Sequence, residues 1–224
     1  MRIGNKTYET ALDVPATVPV FPLSGALLLP RSHLPLNIFE PRYLAMVDEA
    51  LATDRLIGMV QPRFDDDEGA RTTAPLCAVG ALGRIVSFQE SGDGRYLIQL
   101  AGVCRFGILE EVDRGEDFRR CRISAAAFTA DFTGETGEDE VDRDALINAF
   151  QSYLDANDLE ADWKSVKAAS NEALVNTLAM MSPYGPAEKQ ALLEAPDLKS
   201  RAATLVAITE IELARQGGEK PTLN

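Results

Sequence analysis

The residue pattern predicts an α+β protein: a closed or nearly closed β unit followed by a helical bundle. Three observations carry this. Apolar residues recur mostly with period two up to about residue 130 and with the helical period after it. A chain of 224 residues is one large domain or two small ones, long enough to bury a core without metal or disulfide staples. An acidic stretch, Asp131–Asp144, sits where the period changes; it holds seven acidic residues, two glycines and one arginine. The expected organisation is a β-rich unit with one helix over 1–130, an acidic linker over 131–140, a helical subdomain over 141–217 and a flexible tail over 218–224.

Val18–Phe21 reads as a short extended run, prolines forbidding a central strand position for part of it. Pro41 suits the first turn of a helix carrying Tyr43, Leu44, Val47 and Leu51 on one face. Leu56–Gln61 is compact enough for a buried strand. Cys77–Gln89 is strand-like, with Gly80 and Gly83 marking a bend or bulge. Ser91–Gly94 is a turn, and Arg95–Phe106 returns from it as the second arm of a hairpin. Phe118–Phe128 gives another alternating run. After the acidic stretch, Leu146, Ile147, Phe150 and Leu154 form one helical stripe, and Leu174, Val175, Leu178 and Met181 another, started by Ser170 and Glu172. Ser182–Pro186 stops that helix. Pro186–Glu194 is a short helix, and Asp197 caps a long final one ending at Gly217 and Gly218.

Composition narrows function. Lys and Arg number 22 against 35 Asp and Glu, a formal charge of −13, which repels phosphate backbones and anionic lipid. Neither nucleic acid nor membrane is expected as a partner. The charge is uneven: residues 1–130 hold 14 basic and 17 acidic residues, the remainder 8 and 18. Cys77, Cys104 and Cys121 are odd in number and form no C-x-x-C pair, so no disulfide framework or zinc cluster is expected. They read as small hydrophobes in a reducing, cytoplasmic setting. No signal peptide or membrane span is written, and Asn5-Lys6-Thr7 is a chance glycosylation match. His33 is the only histidine, and no P-loop, G-x-S-x-G, S-x-x-K or H-E-x-x-H occurs. The expectation is a non-catalytic chain with no cofactor and no metal.

Two stretches go beyond composition. Pro19-Val20-Phe21-Pro22-Leu23, Leu34-Pro35-Leu36 and Ile38-Phe39-Glu40-Pro41-Arg42-Tyr43 lie in the first; Gly80 and Gly102-x-x-Arg105-Phe106 lie in the second. Lys189-Gln190-x-Leu192-Leu193-Glu194 and Leu198-x-x-Arg201-x-x-x-Leu205 follow in the helical part. Together, over roughly residues 16–215, they resemble the amino-terminal substrate-binding domain of the ATP-dependent Lon protease. The Glu-Pro-Arg-Tyr form resembles stand-alone bacterial members and the related region of cereblon. The resemblance implies a PUA-like pseudo-barrel, an α-helical subdomain and a role in recognising unfolded or partly folded proteins. A protease or a chaperone would be the further partner. It implies no enzyme, since neither the ATPase P-loop nor the serine–lysine pair is present.

Ile38, Phe39, Glu40, Arg42 and Tyr43 are the candidate peptide-binding residues, with the aromatics as apolar contacts and the charges as polar selectors. The same segment also reads as a strand-to-helix junction that is simply packed. Arg84, Arg95, Arg105, Arg119, Arg120 and Arg122 read as outward-facing barrel arginines paired with Glu90, Asp93, Glu110 and Glu111; an RNA-binding face is the other reading. Phe88 and Phe106 are expected in the barrel core, and Trp163 as a packing anchor of the helical part. A small-molecule sensor is a further alternative. The oligomeric state is not legible.

Overall fold

The computed structural model describes residues 1–63 and 74–218, the last three by backbone alone. The chain packs as two units. Met1–Gly134 and Tyr184–Leu193 form a sheet unit; Glu135–Pro183 and the chain from Glu194 form a helical unit. The strands are β1 (Arg2–Ile3), β2 (Lys6–Thr7), β3 (Thr17–Pro22), β4 (His33–Ile38), β5 (Leu56–Val60), β6 (Val79–Glu90), β7 (Tyr96–Glu111) and β8 (Arg119–Ser124). The helices are α1 (Pro41–Ala52), α2 (Arg143–Ala156), α3 (Trp163–Ala168), α4 (Asn171–Met181), α5 (Pro186–Glu194) and α6 (Leu198–Gly218). The expected tail lies, from residue 219 on, outside the described residues. None of the described helices is long and apolar enough to cross a membrane.

The main sheet runs β4-β7-β6-β5-β3-β8, and β8 pairs with β7 again. Five strands thus close a ring, as the glycine-punctuated strands predict. β7 is long enough for two partners on one side: Tyr96–Ala101 pair with β4, and Gly107–Glu111 with β8. β4 is left on the open flank. Periodicity alone does not find it, because Pro35 interrupts the pattern.

β3 meets the expectation for its run: only part of it is paired on both sides. It is flanked by β5 and by β8 despite Pro19 and Pro22. The parallel pairing with β5 covers only Val20–Pro22, so Pro19 meets a strand on one side alone and Pro22 ends the run.

The ring is filled around Phe106, and glycines make the room. A Cβ on Gly80 would stand 2.7 Å from the Phe106 ring, and one on Gly58 2.9 Å. On the outer side, Leu27, Leu28 and Leu29 are buried. There the chain passes so close that a Cβ on Gly102 would lie 2.0 Å from the Leu29 carbonyl oxygen. This is why β7 is buried on both faces through its middle, from Leu100 to Phe106. Bulges fall at Leu82/Gly83 and Ile85/Ser87. Beyond the second, β6 leaves the core, and Val86–Glu90 are exposed. Phe88 is therefore not core: it is exposed and stacks edge-on against Tyr96 at 4.9 Å.

Three of the six arginines also point inward. Arg105 is buried and forms a two-pronged pair with buried Asp131, Nε to Oδ2 at 2.9 Å and Nη2 to Oδ1 at 2.8 Å. The Arg105 backbone N–H also donates to Asp131 Oδ2 at 2.8 Å, and Nη1 donates to the Leu193 carbonyl at 3.2 Å. Its guanidinium lies 4.8 Å from the Phe128 ring centroid. Asp131, the first residue of the acidic stretch, thus belongs to the sheet unit's interior. Arg84 is buried against Asn5 Oδ1, Tyr8 Oη and the Asp54 carbonyl. Arg120 is buried between Glu49 and Glu116. Only Arg95, Arg119 and Arg122 pair outward, with Asp93, Glu111 and Glu110. A guanidinium is buried when fixed acceptors replace its water, and β-alternation does not reveal those acceptors.

The cysteines are free and buried. Burial pushes the Cys104 thiol up to about 12 and the Cys121 thiol to about 11. No group of three or more potential metal ligands exists among the described residues.

α5 packs with the sheet unit although it follows the helical stretch in sequence. Gln61 Nε2 donates to the Pro186 carbonyl at 3.0 Å and to Gln190 Oε1 at 3.1 Å, and Gln190 Nε2 donates to the Val79 carbonyl at 3.1 Å. In the helical unit, each start is capped from the sequence: Asp142 accepts from Ala145 N, Asp162 from Lys164 N and Ser165 N, Ser170 from Ala173 N, and Asp197 from Ser200 N. The Trp163 ring rests on Phe150 at 6.1 Å between centroids.

Candidate recognition surface

The segment from β4 into α1 separates the five candidate residues. Ile38 and Tyr43 are buried. Ile38 ends β4 opposite Tyr96. Tyr43 packs on Phe21 with ring centroids 4.3 Å apart, and burial raises its hydroxyl above the ordinary tyrosine range. These two hold the junction. Phe39, Glu40 and Arg42 reach the surface. Phe39 is 61% exposed, the Arg95 guanidinium lying 5.8 Å from its ring centroid. Arg42 donates to Glu40 Oε2 through Nη2 at 2.7 Å and Nε at 3.0 Å, and covers the Tyr43 ring at 4.5 Å.

Pro41 fixes this geometry. It occupies the first turn of α1, where a missing N–H costs nothing, and holds Glu40 in extended backbone. Glu40 is the N-cap, yet its side chain makes no capping bond; it is turned to Arg42 instead. The Asp48 carboxylate of α1 stands near enough to the Tyr96 hydroxyl to raise its ionisation above the ordinary tyrosine value.

Alongside lies the free flank of β4. Gly102 N donates to the Ser32 carbonyl at 2.8 Å, which sets the phase of the ladder. Alternation from there aims the backbone of Leu34, Leu36 and Ile38 at β7 and that of His33, Pro35 and Asn37 outward. Pro35 is tolerated because the N–H it lacks would face the open edge. His33, Pro35 and Asn37 are exposed, Leu34 and Leu36 half-buried. Opposite Asn37, Leu97 is 43% exposed. Phe39, Phe88 and Leu97, large apolar side chains at one end of the β4-β7-β6 ribbon, are thus left in water beside a row of backbone groups that have no partner among the described residues.

Sequence reasoning singled out Phe39 but not exposed Leu97, which lies inside an alternating run that reads as core on either face. The available signal is the short Ser91–Gly94 turn: strands leading into a tight hairpin tip project beyond the barrel they serve. The arginines form no basic face, since half of the six are buried and the others neutralised by paired carboxylates.

A family model described as the ATP-dependent protease La (LON) substrate-binding domain matches residues 17–210. Lon protease 2 of Myxococcus xanthus is 27% identical over 198 residues, which are 84% of this chain and 23% of that protein. The Lon protease of Anaeromyxobacter dehalogenans is also 27% identical over 198 residues, 84% of this chain and 22% of that protein. The chain spans about a quarter of the length of the curated relatives it matches. Among solved structures, a Lon N-terminal domain protein from Xanthomonas campestris superposes with a TM-score of 0.60 at 22% identity, covering 85% of this chain and 97% of that one. The N-terminal domain of a Mycobacterium avium complex Lon protease gives 0.62 at 17% identity, covering 87% and 98%. At these identities the structures establish a shared fold.

Proposed function

Because the chain belongs to the family of LON substrate-binding domains, we propose that it is a non-catalytic recognition module that takes up extended apolar segments of unfolded or partly folded proteins along β4. The observation that carries this is the free β4 edge with exposed Phe39 and Leu97 beside it. A client strand adds its backbone to the outward groups of His33 and Asn37, while alternate side chains lie over half-buried Leu34 and Leu36. Phe39 and Leu97 offer apolar contact, and Glu40 and Arg42 select against misplaced charge. We infer further that the module serves a protease, on the ground that its relatives are named as Lon proteases.

The test is fluorescence anisotropy with labelled, reduced and carboxymethylated α-lactalbumin, with native α-lactalbumin as control. The unfolded probe is expected to bind with weak salt dependence, and Phe39→Ala to weaken it without lowering the melting temperature. An alternating apolar peptide should bind as well, and the same peptide N-methylated at every second residue should not, because the methyl groups remove the ladder donors. Equal binding of both peptides would refute strand addition. Binding of neither α-lactalbumin form would refute unfolded-client recognition.

A further inference from the structure

Among the described residues, β7 is the only strand beside β4, and the outward backbone groups of His33, Pro35 and Asn37 take no hydrogen bond. Exposed Phe39 and Leu97 lie next to them. An open edge of this kind ordinarily invites a second copy of its own chain, or the sheet of any folded neighbour. One residue works against both.

Pro35 is the middle one of the three outward positions. In a regular antiparallel ladder the partner's carbonyl oxygen sits about 2.9 Å from the nitrogen that donates to it. In proline the ring carbon Cδ occupies that line, bonded to the nitrogen at about 1.5 Å. The obstruction is therefore steric as well as a missing donor, while the Pro35 carbonyl still accepts. A strand added to β4 pairs normally at His33 and Asn37 but has to turn one carbonyl away between them. The backbone device that does this is a bulge, one extra residue opposite the blocked position.

Strands differ in whether they can bulge there. An unfolded segment has no second ladder, so an extra residue breaks no bond already made. A strand in a finished sheet is bonded along its other edge, and an extra residue disrupts that register. A second copy of β4 is worse placed. Two antiparallel copies related by a two-fold axis each bring Pro35, so every register that overlaps their middles holds two obstructions, and the one centred on Pro35 sets ring against ring.

We propose that Pro35 determines the specificity of β4: it admits unfolded segments, which bulge past it, and excludes both the flat strand edges of folded proteins and a second copy of this chain. The selectivity rests on strand addition at β4 as the mode of binding, and it defines the client as chain not yet held in a sheet. Pro35 is exposed, and its neighbours Leu34 and Leu36 keep their own backbone bonds to β7. Replacing it therefore changes the edge without disturbing the ladder behind it.

The probes are the linear peptide acetyl-Lys-Val-Thr-Val-Thr-Val-Lys-amide, labelled with fluorescein on one lysine, and the same strand held in a backbone-cyclised hairpin closed by two D-Pro-Gly turns. Both are titrated by anisotropy with the intact chain and with its Pro35→Ala variant. The wild-type chain is expected to bind the linear peptide at least about tenfold more tightly than the hairpin. Pro35→Ala restores the N–H and removes the ring, so the hairpin should gain about tenfold and come within about threefold of the linear peptide. Sedimentation velocity should show the variant self-associating beyond the wild-type chain, and excess linear peptide should reverse it. Equal binding of hairpin and linear peptide to the wild-type chain overturns the proposal and leaves strand addition standing. A folded Pro35→Ala variant with an unchanged preference and no added self-association does the same. The wild-type comparison decides even where the variant is unstable. A linear peptide that binds neither protein, or only the variant, overturns strand addition at β4 and the proposal with it.

Discussion

Asp131 shows how much one residue can decide. Its carboxylate takes three hydrogen bonds from Arg105, at 2.8, 2.9 and 2.8 Å, in the sheet unit's interior. Asp131→Ala leaves a buried guanidinium without its counter-charge, and such losses cost about 3–5 kcal/mol. Urea denaturation should show a loss of that order. Replacing both partners, Arg105→Met with Asp131→Leu, should recover most of it, because no buried charge then remains unpaired. If the double variant is no more stable than the single one, the pair's value lies in positioning rather than in charge balance.

α1 is the element where stability and recognition compete. Its N-cap, Glu40, faces Arg42 and leaves the first-turn N–H groups without a side-chain acceptor. Glu40→Ser supplies that acceptor at an extended position that suits it. The helix should gain about 0.5–1 kcal/mol in stability, read as a rise in melting temperature, while affinity for the unfolded probe falls. Stability and binding moving together would mean that Glu40 is only a junction residue. The β6–β7 hairpin shows the same trade in strands: past the bulge at Ile85/Ser87 its residues leave the core, which yields exposed Phe88 and Leu97 in place of buried area.

For the whole molecule, chain order and packing order differ. The sheet unit needs α5, which arrives after most of the helical unit has been traversed. A fragment ending at Gly134 therefore lacks the Gln190 and Pro186 acceptors of buried Gln61 and the Leu193 carbonyl that accepts from Arg105. Buried polar groups without partners cost about 1–3 kcal/mol each. The fragment should unfold with a broadened transition and bind an apolar dye, whereas the full chain unfolds cooperatively. A sharp, dye-free transition for the fragment would show that the sheet unit folds without α5.

The sequence by itself determined the α+β class, the strands from Leu56 to Ser124, helices α1, α2, α4, α5 and α6, and the caps Ser170 and Asp197. Those depend on periodicity, capping residues and turn glycines, which act over a few residues. It also singled out the Phe39–Arg42 junction through a motif. Only the tertiary structure decided which way Arg84, Arg105 and Arg120 point, which strands flank β3 and that Phe88 and Leu97 are left in water. It alone placed α5 with the sheet and left β4 with a free edge. Each of these depends on a partner distant in the chain, such as Asp131 for Arg105, Leu29 for Gly102 and Gln190 for Gln61. No local pattern encodes which distant group will arrive to satisfy a buried one.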